Sequence, residues 1–294
     1  MARYDLESVE PPALPIAPRQ YVQGERDRYS NVLRLYFTRI SSFIKNLSGP
    51  FGGRFLDFPN GAFSDTQDYA LAATSVAAPL RFDTTDYTNG VSILTDNVTF
   101  TATVDNGAGG SGNILTVTGL TSEQIYPGMV IAATGLTVGT YVQEVITPLT
   151  SYRLSTSANL SSRTMTGTGT SKVQVAYPGR YNFQFSIQFV NSDNAQQDAS
   201  VWFRKNSTDV VLSNSDFGLP ARKSAGVPSR LIGSLNFFID LEANDYIQIM
   251  WRVSDTDLSI EHFDAVVAAA GTPAIPATPS VILTVNFVSR LANT

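Results

Sequence analysis

Residues 181–189 read Tyr-Asn-Phe-Gln-Phe-Ser-Ile-Gln-Phe. In extended backbone successive side chains point to opposite faces, so Tyr181, Phe183, Phe185, Ile187 and Phe189 share one side and Asn182, Gln184, Ser186 and Gln188 the other. A strict period of two with one apolar face predicts an antiparallel strand covering a core. Leu235, Phe237, Ile239 and Leu241 repeat the pattern, as do Ile247, Ile249, Trp251 and Val253, and finally Val281, Leu283, Val285 and Phe287. Turn residues at Tyr177-Pro178-Gly179, Lys205-Asn206-Ser207 and Ala243-Asn244-Asp245 separate these runs. The expectation is a mainly β protein, an antiparallel two-sheet sandwich built from residues 49–95 and 172–294, with Phe and Trp filling its core.

The stretch between those two segments has another composition. Of its 76 residues, 96–171, 24 are Ser or Thr and 10 are Gly, and Phe100 is the only Phe. Short strands are expected at 98–104, 114–120, 129–133, 141–146 and 152–157. Val91-Ser92-Ile93 before the stretch and Val173-Gln174-Val175 after it both read as sandwich strands. The segment is therefore expected to be a small β domain inserted into the sandwich.

Residues 1–24 hold Pro-Pro-Ala-Leu-Pro-Ile-Ala-Pro at 11–18, whose four prolines fix φ and remove backbone donors, so an extended arm is expected. Over 25–48 the pattern becomes helical. Tyr29, Leu33, Tyr36, Ile40, Phe43 and Leu47 recur at steps of four and three, a seam on one face, and Ser48-Gly49-Pro50 ends it. Such a seam either joins chains and anchors them to a larger particle or lies on the chain's own core. The reading adopted is oligomerisation and attachment.

Composition narrows the functional classes. Only 15% of residues are charged, and 20 Lys and Arg against 25 Asp and Glu give a net charge of −5 with no basic block, which argues against nucleic-acid binding. Absence of cysteine removes disulfides, Cys-ligated metals and thiol nucleophiles. A single histidine, His262, leaves too few imidazoles for a multi-histidine metal site and only one for a catalytic dyad. The first twenty residues lack the apolar run of a secretory signal and no stretch is long enough to span a bilayer, so a chain made in the cytosol without membrane insertion is expected.

Several motifs have ordinary structural readings. Gly107-Ala108-Gly109-Gly110-Ser111-Gly112 satisfies a dinucleotide-site spacing, but the following Ile114-Leu115-Thr116-Val117-Thr118 is a strand, where the pyrophosphate would need a helix N-terminus; a hairpin loop is expected. Ser42 with Lys45 and Ser192-Asp193-Asn194 match two boxes of serine β-lactamases, yet no Lys-Thr-Gly box accompanies them. Asp83, Asp86, Asp193, Asp198, Asp255 and Asp257 sit in loops without the spacing of a calcium-binding loop. Trp202 and Trp251 are read as core, His262 as a strand-edge or interface residue, and 265–279 as a loop. No catalytic, cofactor-binding or metal-binding residues are assigned.

The run Leu14-Pro15-Ile16-Ala17-Pro18-Arg19-Gln20-Tyr21, the helix with Leu35-Tyr36-Phe37, Pro59-Asn60-Gly61-Ala62-Phe63 and Thr84-Thr85-Asp86-Tyr87-Thr88-Asn89-Gly90-Val91-Ser92 resemble virion structural proteins of tailed, cyanophage-like bacteriophages. Pro178-Gly179-Arg180-Tyr181, Trp202-Phe203-Arg204-Lys205-Asn206, Leu241-Glu242-Ala243-Asn244-Asp245-Tyr246 and Pro279-Ser280-Val281-Ile282-Leu283 look like their jelly roll, a domain similar to the trimeric C1q/TNF-like sandwich. Tyr126-Pro127-Gly128-Met129-Val130 and residues 134–140 resemble small β modules of phage surface proteins. The resemblance implies a virion component without enzymatic activity or cofactor, a homotrimeric short fibre or collar appendage that meets other virion proteins through residues 1–47. It also implies an outward jelly roll placed to contact a host surface glycan. Related jelly rolls also serve as capsid decoration proteins, and a carbohydrate-binding adhesin or depolymerase is the alternative from another class; the long repeats usual in depolymerases are absent from the sequence.

Overall fold

The computed structural model describes residues 20, 23–48, 58–71, 73–120, 125–269, 271 and 273–291, with backbone only for 45–48. The chain divides into two units at the Phe58/Pro59 boundary. In the first, the helix α1 runs Gln23–Ser48, beginning two residues before the expected start, with Glu25 in its first turn where the helix dipole favours a carboxylate. The rest of the Pro-rich arm lies outside the described residues.

The second unit is all β. Its strands are β1 (Asn60–Asp65), β2 (Tyr69–Ala70), β3 (Ala78–Pro79), β4 (Thr84–Asn89), β5 (Val91–Asp105), β6 (Gly112–Thr118), β7 (Val130–Ala132), β8 (Val142–Thr147) and β9 (Ser151–Ala158). They continue with β10 (Leu160–Val175), β11 (Gly179–Asn191), β12 (Gln197–Lys205), β13 (Thr208–Asp209), β14 (Ser215–Leu219), β15 (Ser229–Leu241), β16 (Tyr246–Val253), β17 (Leu258–Ile260) and β18 (Val281–Ser289). One sheet is ordered β4-β1-β18-β11-β15, with β17 and β2 extending it beside β11. The other is ordered β5-β10-β16-β12-β14 at the sandwich end. All ladders are antiparallel, and the first strand lies beside the last, the connectivity of a jelly roll.

The five apolar residues of 181–189 are buried as their alternation requires, and Phe203 of β12 stacks against Phe237 of β15 while also meeting Phe183 and Phe185. Trp251 is buried with them, but Trp202 is only half-buried and donates from Nε1 to Asp209. It belongs to the other face of β12, one residue out of phase with Val201 and Phe203, so the expectation that both tryptophans are core holds only for Trp251.

Residues 96–171 leave and return on the sandwich's own strands. The β5–β10 ladder runs from Val91↔Val175 to Val104↔Leu160, so its lower end is sandwich and its upper end is the start of the inserted stretch, where β6, β9 and β8 extend the sheet. The stretch buries Phe100, Leu115, Val142, Tyr152, Leu154 and Met165, which join the sandwich residues in one continuous core. The 107–112 glycines form the β5–β6 hairpin loop, in which Asn106 Oδ1 accepts from the amides of Ala108 and Gly110.

We expect replacement of 96–171 by a short Gly/Ser turn to leave a sandwich that still folds, because Val91 to Leu94 would keep their pairing with Lys172 to Val175. The variant should melt cooperatively but at lower temperature than the parent in circular dichroism; insolubility or a broad transition would show the stretch to be inseparable from the core.

Candidate functional site

The seam read from the sequence is on α1. Leu33, Tyr36, Ile40 and Phe43 are half-buried, Tyr29 is 39% exposed, and the Leu47 side chain lies outside the described residues. Phe37 and Ile44, at 62% and 54% exposed, sit beside the seam. Placing each residue at 100° intervals, Val32 to Phe37 bound an apolar stripe of about 140°, wider than a two-stranded coiled-coil seam and matched to packing in a bundle of three or more helices or on a broad surface. Sequence reading passed over Phe37 and Ile44 because they break the four–three spacing.

A second site lies where the inserted stretch meets the sandwich, and its origin is one irregularity in the β5–β10 ladder. Gly169 pairs with Asp96 and Lys172 with Leu94, so β10 carries one more residue than β5 across this point. Such a bulge re-aims side chains. Here it brings Asp96, Ser171 and Lys172 together: Lys172 Nζ is 2.5 Å from Asp96 Oδ1, and Ser171 Oγ donates to Asp96 Oδ2 at 3.0 Å. Tyr126 donates its hydroxyl to the same Oδ2 at 3.0 Å, and Gln248 Nε2 donates to Ser171 Oγ at 2.7 Å. Lys172 also lies 4.7 Å from the centre of the Tyr246 ring, a cation–π contact.

The local sequence explains the fit. Residues 166–170 alternate Thr-Gly-Thr-Gly-Thr, and a Cβ on Gly169 would meet the Tyr126 hydroxyl at 1.9 Å. Only glycine there lets Tyr126 lie over β10 and reach Asp96. Burial and the Asp96 charge push the Tyr126 hydroxyl's pKa well up, so it stays a proton donor. Above this network opens a cleft of about 500 Å³, whose lining includes Asp96, Lys172, Arg204, Gln248, Met129 and Met250. Arg204 is itself held, Nε to Asp209 Oδ1 at 2.7 Å.

A buried clasp fixes the other side of the junction. Asp65 at the end of β1 is fully buried and accepts from Arg81 Nε at 2.9 Å, while Arg81 donates from a terminal nitrogen to the Gly128 carbonyl at 2.6 Å. One guanidinium thus ties the sandwich to the inserted stretch. Gly128 has φ +85°, and a Cβ there would strike the Arg81 side chain at 2.4 Å. Burial raises the Asp65 pKa even though Arg81 pulls it down, and Tyr69 is buried against the pair, its pKa raised by burial and by the Asp65 charge.

Of the acidic residues expected in loops, Asp86 lies in β4 and Asp198 in β12, since strand pairing extends further than the turn residues suggest; the others are engaged in local hydrogen bonds. Asp255 accepts from the Asp257 amide, Asp193 from the Asn194 amide and the Gln197 side chain, and Asp83 from Thr66. Among the described residues no group of three His, Asp or Glu is placed to hold a metal ion. The His262 amide donates to Asp68 and its ring lies 3.9 Å from Asp264. No described helix is long and apolar enough to cross a membrane.

No protein-family profile matches the chain, and no curated protein matches its sequence. Among solved structures, the globular domain of zebrafish complement 1qA protein is similar at 9% identity and a TM-score of 0.30, over 80% of this chain and 99% of that one. The jelly-roll assignment therefore rests on the strand order given above.

Replacing Arg81 with Met should strand a fully buried carboxylate and destabilise the unit by about 3–5 kcal/mol. The pH dependence carries the sign. Asp65 binds its proton more tightly folded than unfolded, so the charged form is the costly one, and more so without Arg81. The deficit of the variant relative to the parent should be largest near neutrality and shrink as pH falls and Asp65 protonates. Thermal melts from pH 7 to pH 4 check this; a constant deficit would remove Asp65 from the account.

Proposed function

We propose that this chain is a non-enzymatic structural component of a bacteriophage virion, a homotrimeric short appendage of fibre or collar type attached to the particle through residues 1–47. The observation that carries the assembly part of the reading is the outer face of the first sheet. Along β11 it presents Asn182, Gln184, Ser186 and Gln188; along β15, Ile232, Ser234, Asn236 and Phe238; along β18, Ile282, Thr284 and Asn286. This three-stranded band has no charged side chain until Arg230 at one end and the Arg180–Asp240 pair at the other. Ile232 and Phe238 stand 62% and 54% exposed on it.

A solvated sheet face usually carries Lys and Glu, which keep it in water and discourage association. An uncharged face with protruding Ile and Phe suits burial against copies of itself, since no charge has to be desolvated. Three-fold packing about these faces would be axial, and the α1 stripe would supply a second contact between chains. The virion placement is supported by the sequence resemblance.

Light scattering on the purified chain tests the assembly. The parent should have the mass of a trimer, and Phe238→Lys together with Ile232→Lys should give monomers whose melting barely moves, since exposed substitutions change stability by roughly 0.5 kcal/mol or less. Ile40→Asp or Phe43→Asp should block incorporation into particles while leaving the β spectrum intact. A parent that is monomeric, or incorporation unaffected by the helix variants, would overturn the reading, as would reproducible hydrolysis of host glycans by the purified protein.

A further inference from the structure

We propose that the cleft above the β5–β10 bulge is a binding site for a neutral saccharide unit. The proposal goes beyond the virion reading and holds whatever particle or surface the chain stands on. The volume of about 500 Å³ is that of a small-ligand pocket. Three features of its lining select the chemistry.

The charges in the cleft are already balanced. Lys172 is paired with Asp96 and Arg204 with Asp209, so an anion entering the cleft would find both cations engaged, and a cation would find Asp96, the carboxylate of the lining, engaged as well. A neutral ligand breaks neither pair. The polar groups also offer both senses of hydrogen bond at close quarters: Lys172 and Arg204 are donors, while Gln248, whose Nε2 is spent on Ser171, presents its carbonyl oxygen as an acceptor. Hydroxyl groups, which donate and accept at once, fit such a mixed set better than a carbonyl-only or amine-only ligand.

The apolar lining is aliphatic, and the part of it that reaches solvent is Ala77, Pro148 and Leu149, C–H surface that packs against a sugar ring without demanding a flat partner. A nucleobase would need an exposed aromatic face, and Tyr126 and Tyr152, the rings that line the cleft, are only 4% and 1% exposed. Preorganisation is supplied from below, since the bulge and the Gln248–Ser171–Asp96–Tyr126 network fix the charged groups before any ligand arrives.

Ligand-observed saturation-transfer NMR on the full chain tests the assignment, with methyl glycosides of neutral hexoses and N-acetylhexosamines set beside glucuronate and N-acetylneuraminate. Neutral glycosides should give transfer with millimolar affinity. Gln248→Leu should weaken it about tenfold, the loss of roughly one good hydrogen bond. Ala77→Trp, which fills the half-buried rim of the cleft without touching the network, should abolish it while the melting temperature holds. Should Ala77→Trp misfold, Arg204→Met provides the second lesion, with the same expected loss. Binding confined to the acidic sugars would overturn the charge argument. No transfer from any sugar at about 10 mM, or transfer unchanged in the folded variants, would overturn the site.

Discussion

The ladder between β5 and β10 is the constraint on which the rest of the second unit depends. It runs the length of both strands, and both parts of the unit hang on it: the jelly roll from Val91 and Val175, the inserted stretch from Val104 and Leu160. A single regular ladder could not serve both. On β5 the buried position at the sandwich end is Val91, whereas further up the buried positions are Val98, Phe100, Ala102 and Val104, a change from odd to even numbering. On β10 the buried residues stay odd, from Met165 through Gly167, Gly169, Ser171 and Val173 to Val175. One strand has to change phase against the other, and the extra residue near Ser171 is how the backbone absorbs it. The bulge thus lets one pair of strands serve both parts of a continuous core, and the polar cluster at Asp96 sits where the buried face of β5 changes over.

That cluster and the Asp65–Arg81 clasp divide the junction between them. Both place carboxylates out of water and compensate them with a cation and neutral donors, an arrangement that adds little net stability but is expensive to disturb. Apolar contacts at the same places would tolerate small shifts of the inserted stretch. Directional bonds to Gly128 and to Asp96 do not, and they set the geometry of the cleft between them.

Legibility in the sequence followed the chemistry of each strand. β11, β15, β16 and β18 were readable because each has one face in the core and one outside it, so their residues alternate visibly. β10 above Lys172 gave no such sign: its inward positions include Gly167 and Gly169, chosen for the room that Met129 and Tyr126 need, and a strand whose core residues are glycines looks like a linker. β1 was equally opaque, because Asn60-Gly61-Ala62-Phe63-Ser64-Asp65 is buried almost throughout, its acid included. The functional side chains fell into the same blind spot. Asp96, Ser171 and Lys172 are ordinary surface residue types, seventy-five residues apart between the first two, and only the register of the ladder makes them neighbours. Tyr29, Leu33, Tyr36, Ile40, Phe43 and Leu47 were legible as a seam because helical periodicity is local; the width of the stripe, which decides what can pack against it, depends on Phe37 and Ile44 as well.

The distribution of charge links the two surfaces to which function is assigned. With 15% charged residues the chain has few to place, and those near the cleft are consumed in pairs, Lys172 with Asp96, Arg204 with Asp209 and Lys205 with Asp245. The outer band of the first sheet has none between Arg230 and the Arg180–Asp240 pair. Pairing keeps the cleft neutral, and exclusion keeps the sheet face free of desolvation cost, so the same scarcity makes one surface suited to hydroxyl-rich ligands and the other to self-association. Loop carboxylates such as Asp193, Asp255 and Asp257 lie outside the charge-free stretch of the outer band and do not line the cleft.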